Sequence, residues 1–158
     1  MKTVHYYFIL IALIIISSCQ GNKLKDNANS TDTVQLIPLP NKIKVGQDSL
    51  NITSGLKLNF AELNPEIENN LTTYLKSTTL NISESGIDVR FLLNNSQNST
   101  TPDESYKLIV NKKGIEISAE TEVGLFYAIQ TLIQLTEQNP DRLPFIEIED
   151  SPRFAYRG

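Results

Sequence analysis

Tyr106-Lys107-Leu108-Ile109-Val110-Asn111-Lys112-Lys113-Gly114-Ile115-Glu116-Ile117-Ser118 decides the fold class. Tyr106 to Val110 and Ile115 to Ser118 are short β-rich runs on either side of Asn111-Lys112-Lys113-Gly114. The pattern predicts a β-hairpin with Gly114 placed to take a positive φ. The apolar period then changes from two to 3.6. From about Glu122 to Glu137, Val123, Phe126, Tyr127, Ile129, Gln130, Leu132, Ile133 and Leu135 give a helix a wide apolar side, expected to lie on the sheet as the main core element.

Upstream, Ile43 to Val45, Ile52 and Leu56 to Phe60 read as short strands, the last alternating Leu56, Leu58 and Phe60 with Lys57 and Asn59. A first helix is marked by Asn64 as cap and Pro65 at the first helical position, with Ile67, Leu71, Tyr74 and Leu75 on one face. Ile87 to Leu93 is a near-continuous apolar strand, and the Asn/Ser/Thr-rich stretch from Asn94 to Thr101 is a surface loop. Downstream, Pro140 and Pro144 end the second helix, and Phe145-Ile146-Glu147-Ile148-Glu149 supplies a final alternating strand. The expected fold class is therefore α+β: a mixed or mostly antiparallel sheet with two helices packed on one face.

The amino terminus points to export. Met1-Lys2-Thr3 is a short positive region, and Tyr7 to Ile16 is an apolar run too short to span a bilayer comfortably. Ile16-Ser17-Ser18-Cys19 follows. It resembles the bacterial lipobox, in which the cysteine is lipidated and becomes the mature first residue; an ordinary secretory peptide with an incidental cysteine is the alternative. The expected organisation is a lipoprotein signal peptide over 1–18, lipidation at Cys19, a flexible tether over 19–34 and a folded domain over 35–150. The tether is polar and lacks the apolar surface that would offset ordering entropy. The lipid would hold the exported protein at the bacterial outer membrane, on its periplasmic or cell-surface side.

Processing at Cys19 would also remove His5, the only histidine. The mature chain would then lack imidazole and any unmodified thiol, which excludes a Ser-His-Asp triad, a Cys-His dyad, a histidine-containing zinc site and a disulfide framework. No metal and no cofactor is expected. With Lys2 gone, thirteen Lys and Arg stand against eighteen Asp and Glu. Nucleic acid is not an expected partner, because phosphate binding needs a concentrated basic face and these lysines are scattered.

Three stretches resemble one family. They are Leu36-Ile37-Pro38-Leu39-Pro40, the helix segment Gly124-Leu125-Phe126-Tyr127-Ala128-Ile129-Gln130-Thr131-Leu132-Ile133-Gln134-Leu135, and Ile148-Glu149-Asp150-Ser151-Pro152-Arg153-Phe154-Ala155-Tyr156-Arg157-Gly158. Together they are similar to the amino-terminal domain of the family 20 glycoside hydrolases, the β-N-acetylhexosaminidases. The last stretch is the most specific, because Asp-x-Pro-Arg-Phe-x-x-Arg-Gly is typical of the lead-in to that family's catalytic (β/α)8 barrel. The resemblance implies that 151–158 starts a barrel absent from these residues, and that the chain is the amino-terminal portion of an enzyme.

What the family implies is retaining hydrolysis of terminal N-acetylhexosamine, with the substrate's own acetamido oxygen as nucleophile. A glutamic acid protonates the leaving oxygen, and a preceding aspartate orients the acetamido group. That pair belongs to a barrel strand downstream, so no catalytic residue is expected in this chain. Arg157 is the residue carried over by role, a substrate-binding guanidinium that hydrogen-bonds sugar hydroxyls in the complete enzyme. Arg153 is expected to brace the junction against carboxylates such as Asp150, and Phe154 to pack there. The implied partners are N-acetylhexosamine glycans, the protein's own barrel packed against this domain, and the membrane through the lipid.

Other features read as structural. Asp103-Glu104 is the only adjacent Asp-Glu pair and reads as a solvated turn. Tyr74 and Tyr127 read as core or core-edge aromatics, and Lys112-Lys113 as a hairpin tip. Glu147 and Glu149 share a strand face, which on an alternating strand marks the water side. The alternative to the enzyme is a non-catalytic surface lipoprotein module that binds glycans or a protein partner.

Overall fold

The computed structural model describes residues 34–60, 63–94 and 104–151. Six strands, β1 (Lys42–Asn51), β2 (Leu56–Asn59), β3 (Ile87–Leu93), β4 (Tyr106–Asn111), β5 (Gly114–Ala119) and β6 (Arg142–Asp150), form one sheet in the order β1-β6-β4-β5-β3-β2. The pairs β1–β6, β6–β4 and β4–β5 are antiparallel, whereas β5–β3 and β3–β2 are parallel. The sheet is thus mixed, and two helices, α1 (Pro65–Lys76) and α2 (Glu122–Gln138), back it on one side.

Each helix begins where its sequence can satisfy the orphan amides of the first turn. The Asn64 side chain accepts from the Ile67 amide at 2.9 Å, with Pro65 in the first turn, and the Thr121 hydroxyl accepts from the Gly124 amide at 3.2 Å. Helix α1 links the parallel neighbours β2 and β3, the crossover that a parallel pair requires. Gly114 closes the β4–β5 hairpin with φ +131°, as its place in the sequence predicts.

Register explains the core. Leu108 lies between Ile117 and Ile148, and Val110 between Ile115 and Ile146, so one face of the central strands is continuously apolar. Ile67, Leu71 and Leu75 of α1 and Leu125, Ala128, Ile129, Leu132 and Leu135 of α2 are buried with it. Each buried Leu or Ile among them contributes about 1.5–3 kcal/mol of burial. Tyr74 and Tyr127 pack at the margin of this cluster, in keeping with their reading as core-edge aromatics.

Three local expectations change. Strand β1 runs over ten residues rather than stopping at Val45, because it crosses an irregularity between Val45 and Ser49 and then pairs again with β6, Leu50 opposite Leu143. Pro144 does not terminate the second helix. It sits inside β6, beyond the last β4 partner and beside that irregularity, where a sheet tolerates a missing N–H. Finally, the apolar side of α2 is wider than the sheet can cover, and Val123 and Phe126 stay 42% and 40% exposed.

The two margins of the sheet differ. At the β2 side the Leu56 amide donates to the Asn81 carbonyl at 2.8 Å, and the Ser83 amide donates to the Leu56 carbonyl at 2.9 Å, so the 81–83 segment pairs with that edge at Leu56. At the β1 side Lys42 and Lys44 precede the irregular stretch between Val45 and Ser49.

Candidate functional site at the domain junction

The carboxyl end of β6 is fixed by the segment that precedes β1. The Asn41 amide donates to Asp150 Oδ1 at 3.1 Å, and Asn41 Nδ2 reaches both the carbonyl and the hydroxyl of Ser151 at 2.9 Å. Just upstream, Gln134 of α2 grips the backbone of Ile37 from both sides, accepting from its amide at 2.9 Å and donating to its carbonyl at 3.0 Å. Gln138 makes the same paired contact with Gln35. The proline-rich opening is therefore laced along α2, and the Ile37–Pro38 peptide bond is cis.

These contacts frame a groove of about 260 Å³ whose wall includes Ile37, Glu104, Tyr127, Gln130, Asp150 and Ser151. At its floor the Tyr106 hydroxyl meets the Thr131 hydroxyl at 2.6 Å inside the core. Burial pushes the Tyr106 pKa above its ordinary value; the Thr131 hydrogen bond opposes this shift and the Asp150 carboxylate adds to it. The groove adjoins the carboxyl end of β6 at Asp150 and Ser151.

The opposite face of the sheet carries charge of alternating sign from strand to strand. Lys107 of β4 bridges Glu147 at 2.5 Å and Glu149 at 3.2 Å, while Lys42 and Lys44 of β1 reach the same two glutamates at 3.0 and 3.3 Å. Arg90 and Glu116 extend the pattern across β3 and β5 at 3.6 Å. Glu147 and Glu149 are thus tied to lysines on the solvated face, as their alternation predicts, and neither is poised as an acid or base. Hydrogen bonds from Lys107 and Lys44 hold the Glu147 pKa below its ordinary value, those from Lys42 and Lys107 do the same for Glu149, and the two carboxylates raise that of Lys107.

The signs fix a pH window. The depressed carboxylates contribute stability that is present above the ordinary pKa of 4.5 and lost as pH falls through their lowered values. Lys107 contributes below 10.5 and loses that contribution as pH rises through its raised value. The difference in urea midpoint between wild type and Glu147→Gln is therefore expected to be level within this window and to shrink on the acid side. A difference that persists unchanged into strong acid would remove the ion pairs as its cause.

The sequence-derived site residues fall mostly elsewhere. Arg157, Arg153, Phe154, Asp103 and Cys19 lie outside the described residues. Asp150 and Glu104 line the groove, so Glu104 is not the purely solvated turn residue that its sequence context predicts. Asn41, Gln134 and Gln138 were not singled out by sequence, since a polar side chain that finds its backbone partner about a hundred residues away leaves no local pattern. Among the described residues no group of three His, Cys, Asp or Glu side chains is disposed to hold a metal ion, and no helix is long and apolar enough to cross a membrane.

Fold and side-chain contacts define an α+β domain in which the end of β6 is tied to the segment before β1. The sequence model described as glycosyl hydrolase family 20, domain 2, matches residues 33–151, and the chain belongs to that family. The β-hexosaminidase of Vibrio furnissii is 27% identical over 157 residues, covering 95% of this chain and 25% of that protein. The N,N'-diacetylchitobiase of Vibrio harveyi is 30% identical over 145 residues, covering 86% of this chain and 16% of that protein. Among solved structures, the exo β-N-acetylglucosaminidase of Vibrio harveyi superposes with a TM-score of 0.54 at 31% identity, over 78% of this chain and 20% of its own. The chain thus spans a quarter or less of the length of these relatives.

Proposed function

We propose that this chain is the amino-terminal portion of a lipoprotein β-N-acetylhexosaminidase, which removes terminal N-acetylhexosamine by substrate-assisted, retaining hydrolysis. The observation that carries this reading is the family 20 match across 33–151, adjoined by Asp150-Ser151-Pro152-Arg153-Phe154-Ala155-Tyr156-Arg157-Gly158. In the intact enzyme the acid and the acetamido-orienting aspartate belong to a barrel after Gly158, and this domain fixes the strand that leads into it. Arg157 is proposed to donate to sugar hydroxyls, work suited to a planar guanidinium with several fixed donors. Cys19 is proposed to carry the lipid that holds the protein at the outer membrane, supported by the apolar run and small residues before it.

One set of measurements tests both halves. The 158-residue polypeptide is expected to release no product from an aryl N-acetylglucosaminide, while the product of a reading frame continuing past Gly158 turns it over. Expressed in a bacterium fed radiolabelled palmitate, the wild-type chain should take up the label and its Cys19→Ser variant should not. Turnover by the short polypeptide would refute the placing of the chemistry, and a wild-type chain that stays unlabelled would refute the lipid.

A further inference from the structure

Strand direction gives the domain two distinct ends. At one of them β6 finishes, β1 and β4 start, and the chain leaves at Asp150 and Ser151. At the other β6 starts at Arg142, the β4–β5 hairpin turns at Lys112 and Lys113, β2 starts at Leu56, and α1 and α2 finish at Lys76 and Gln138. The opening segment runs between the two along α2, with Gln35 held by Gln138, Ile37 by Gln134 and Asn41 by Asp150. The chain before Val34 therefore enters at the hairpin end, the length of β6 away from Ser151.

Ion pairing divides the cations in the same way. Lys42, Lys44, Arg90 and Lys107 are each paired with a glutamate on the sheet's outer face. Lys57, Lys76, Lys112, Lys113 and Arg142 are exposed and have no ion pair among the described residues, and all five lie at the hairpin end. Acidic groups collect at the exit end instead: Glu66 and Glu68 in the first turn of α1, Glu122 in that of α2, and Glu104, Glu120 and Asp150 beside the strand ends. An acidic domain is thereby polarised along its strands, with its free cations around the point where the chain enters.

We propose that the hairpin end faces a membrane surface, with Lys112, Lys113 and Arg142 set against the headgroup phosphates of anionic phospholipids and the chain leaving β6 pointed away from the bilayer. The proposal rests on the reading of Cys19 as a lipid anchor and adds the surface that meets the membrane. Fourteen residues separate Cys19 from Val34, at most about 50 Å of chain, so the end that the chain enters is the one kept beside the lipid. Interleaved with Glu84, Asp88, Glu137 and Asp141, five cations are too few to capture a free polyanion. A domain already tethered at a negative surface needs only to be turned by it. Attraction of the hairpin end and repulsion of the acidic exit end act in the same sense, and so favour one orientation.

The test uses the complete protein with the signal peptide and Cys19 replaced by an oligohistidine tag, held on vesicles through a nickel-chelating lipid, so that natural acylation plays no part in it. A donor dye is placed by Ser54→Cys at the hairpin end or by Asn94→Cys at the exit end, both exposed positions, and energy transfer to a headgroup-labelled lipid is measured against the parent without an added thiol. On vesicles rich in phosphatidylglycerol, transfer from Ser54→Cys is expected to exceed that from Asn94→Cys by at least about twofold. The excess should largely disappear on phosphatidylcholine vesicles, in molar salt, and when Lys112→Gln, Lys113→Gln and Arg142→Gln are combined. Equal transfer from the two sites on phosphatidylglycerol would overturn the proposal, as would an excess that survives on phosphatidylcholine, which would assign it to the tether alone. Palmitate labelling of the natural chain reports separately on the anchor, so equal transfer alongside a labelled wild type refutes the orientation alone.

Discussion

Phe91→Ala is expected to cost the domain about 3–5 kcal/mol, the range for deleting a fully buried aromatic ring. Phe91 is 1% exposed, opposes Ile117 in β3–β5, and stacks on Phe60 with ring centroids 4.8 Å apart. Truncation leaves a void that neither element can close, because β3 is held by β2 on one side and β5 on the other. Against a total stability of about 5–15 kcal/mol, such a loss leaves the domain marginal. Thermal unfolding should show it as a fall in Tm of more than about 10 °C, and a shift of a degree or two would mean that the ring is not packed as described.

Gly124→Val is expected to be nearly as damaging, at about 3 kcal/mol, and for a different reason. Helix propensity alone would favour replacing a helical glycine, by about 1 kcal/mol for alanine. Here that gain is overridden. A Cβ at Gly124 would lie 2.5 Å from the Ser105 carbonyl oxygen and 2.9 Å from the Ala119 Cβ, and both obstacles are backbone or anchored to it. The first turn of α2 rests directly on the start of β4 and the end of β5, so a side chain there lifts the helix off the sheet. Because Gln134 holds Ile37 from this same helix, the displacement should also loosen the junction. Gly124→Ala should fall between wild type and Gly124→Val in chemical denaturation; stabilisation by the alanine would show that the close approach is absent.

These two positions illustrate how unevenly the fold could be read beforehand. The β4–β5 hairpin and α2 stand out because their apolar period switches from two to 3.6 across a few residues, and local patterning is what short-range structure obeys. The strand order β5-β3-β2 is different in kind. It arises from crossovers that bring Val89 opposite Ile115 and Leu58 opposite Val89, pairings between distant segments with no local mark. Gly46-Gln47-Asp48-Ser49 hides the length of β1, since a polar stretch joins the strand only through its irregular pairing with β6. Asp150, which stands out in the sequence because it sits inside a family motif, lines the groove. Its holder Asn41 was not, and the expected roles of Arg157 and Cys19 belong to residues beyond the described part of the chain.

Pairing the start of the β2 margin with the 81–83 segment and bending the β1 margin through an irregular stretch has a consequence for how the sheet meets a second copy. Bare strand edges are what let sheet proteins zip into fibrils. Each edge here is interrupted at one place, at Leu56 by the 81–83 segment and in β1 by the irregularity between Val45 and Ser49. Association is thereby steered away from backbone pairing and toward side-chain surfaces, where shape can choose the companion.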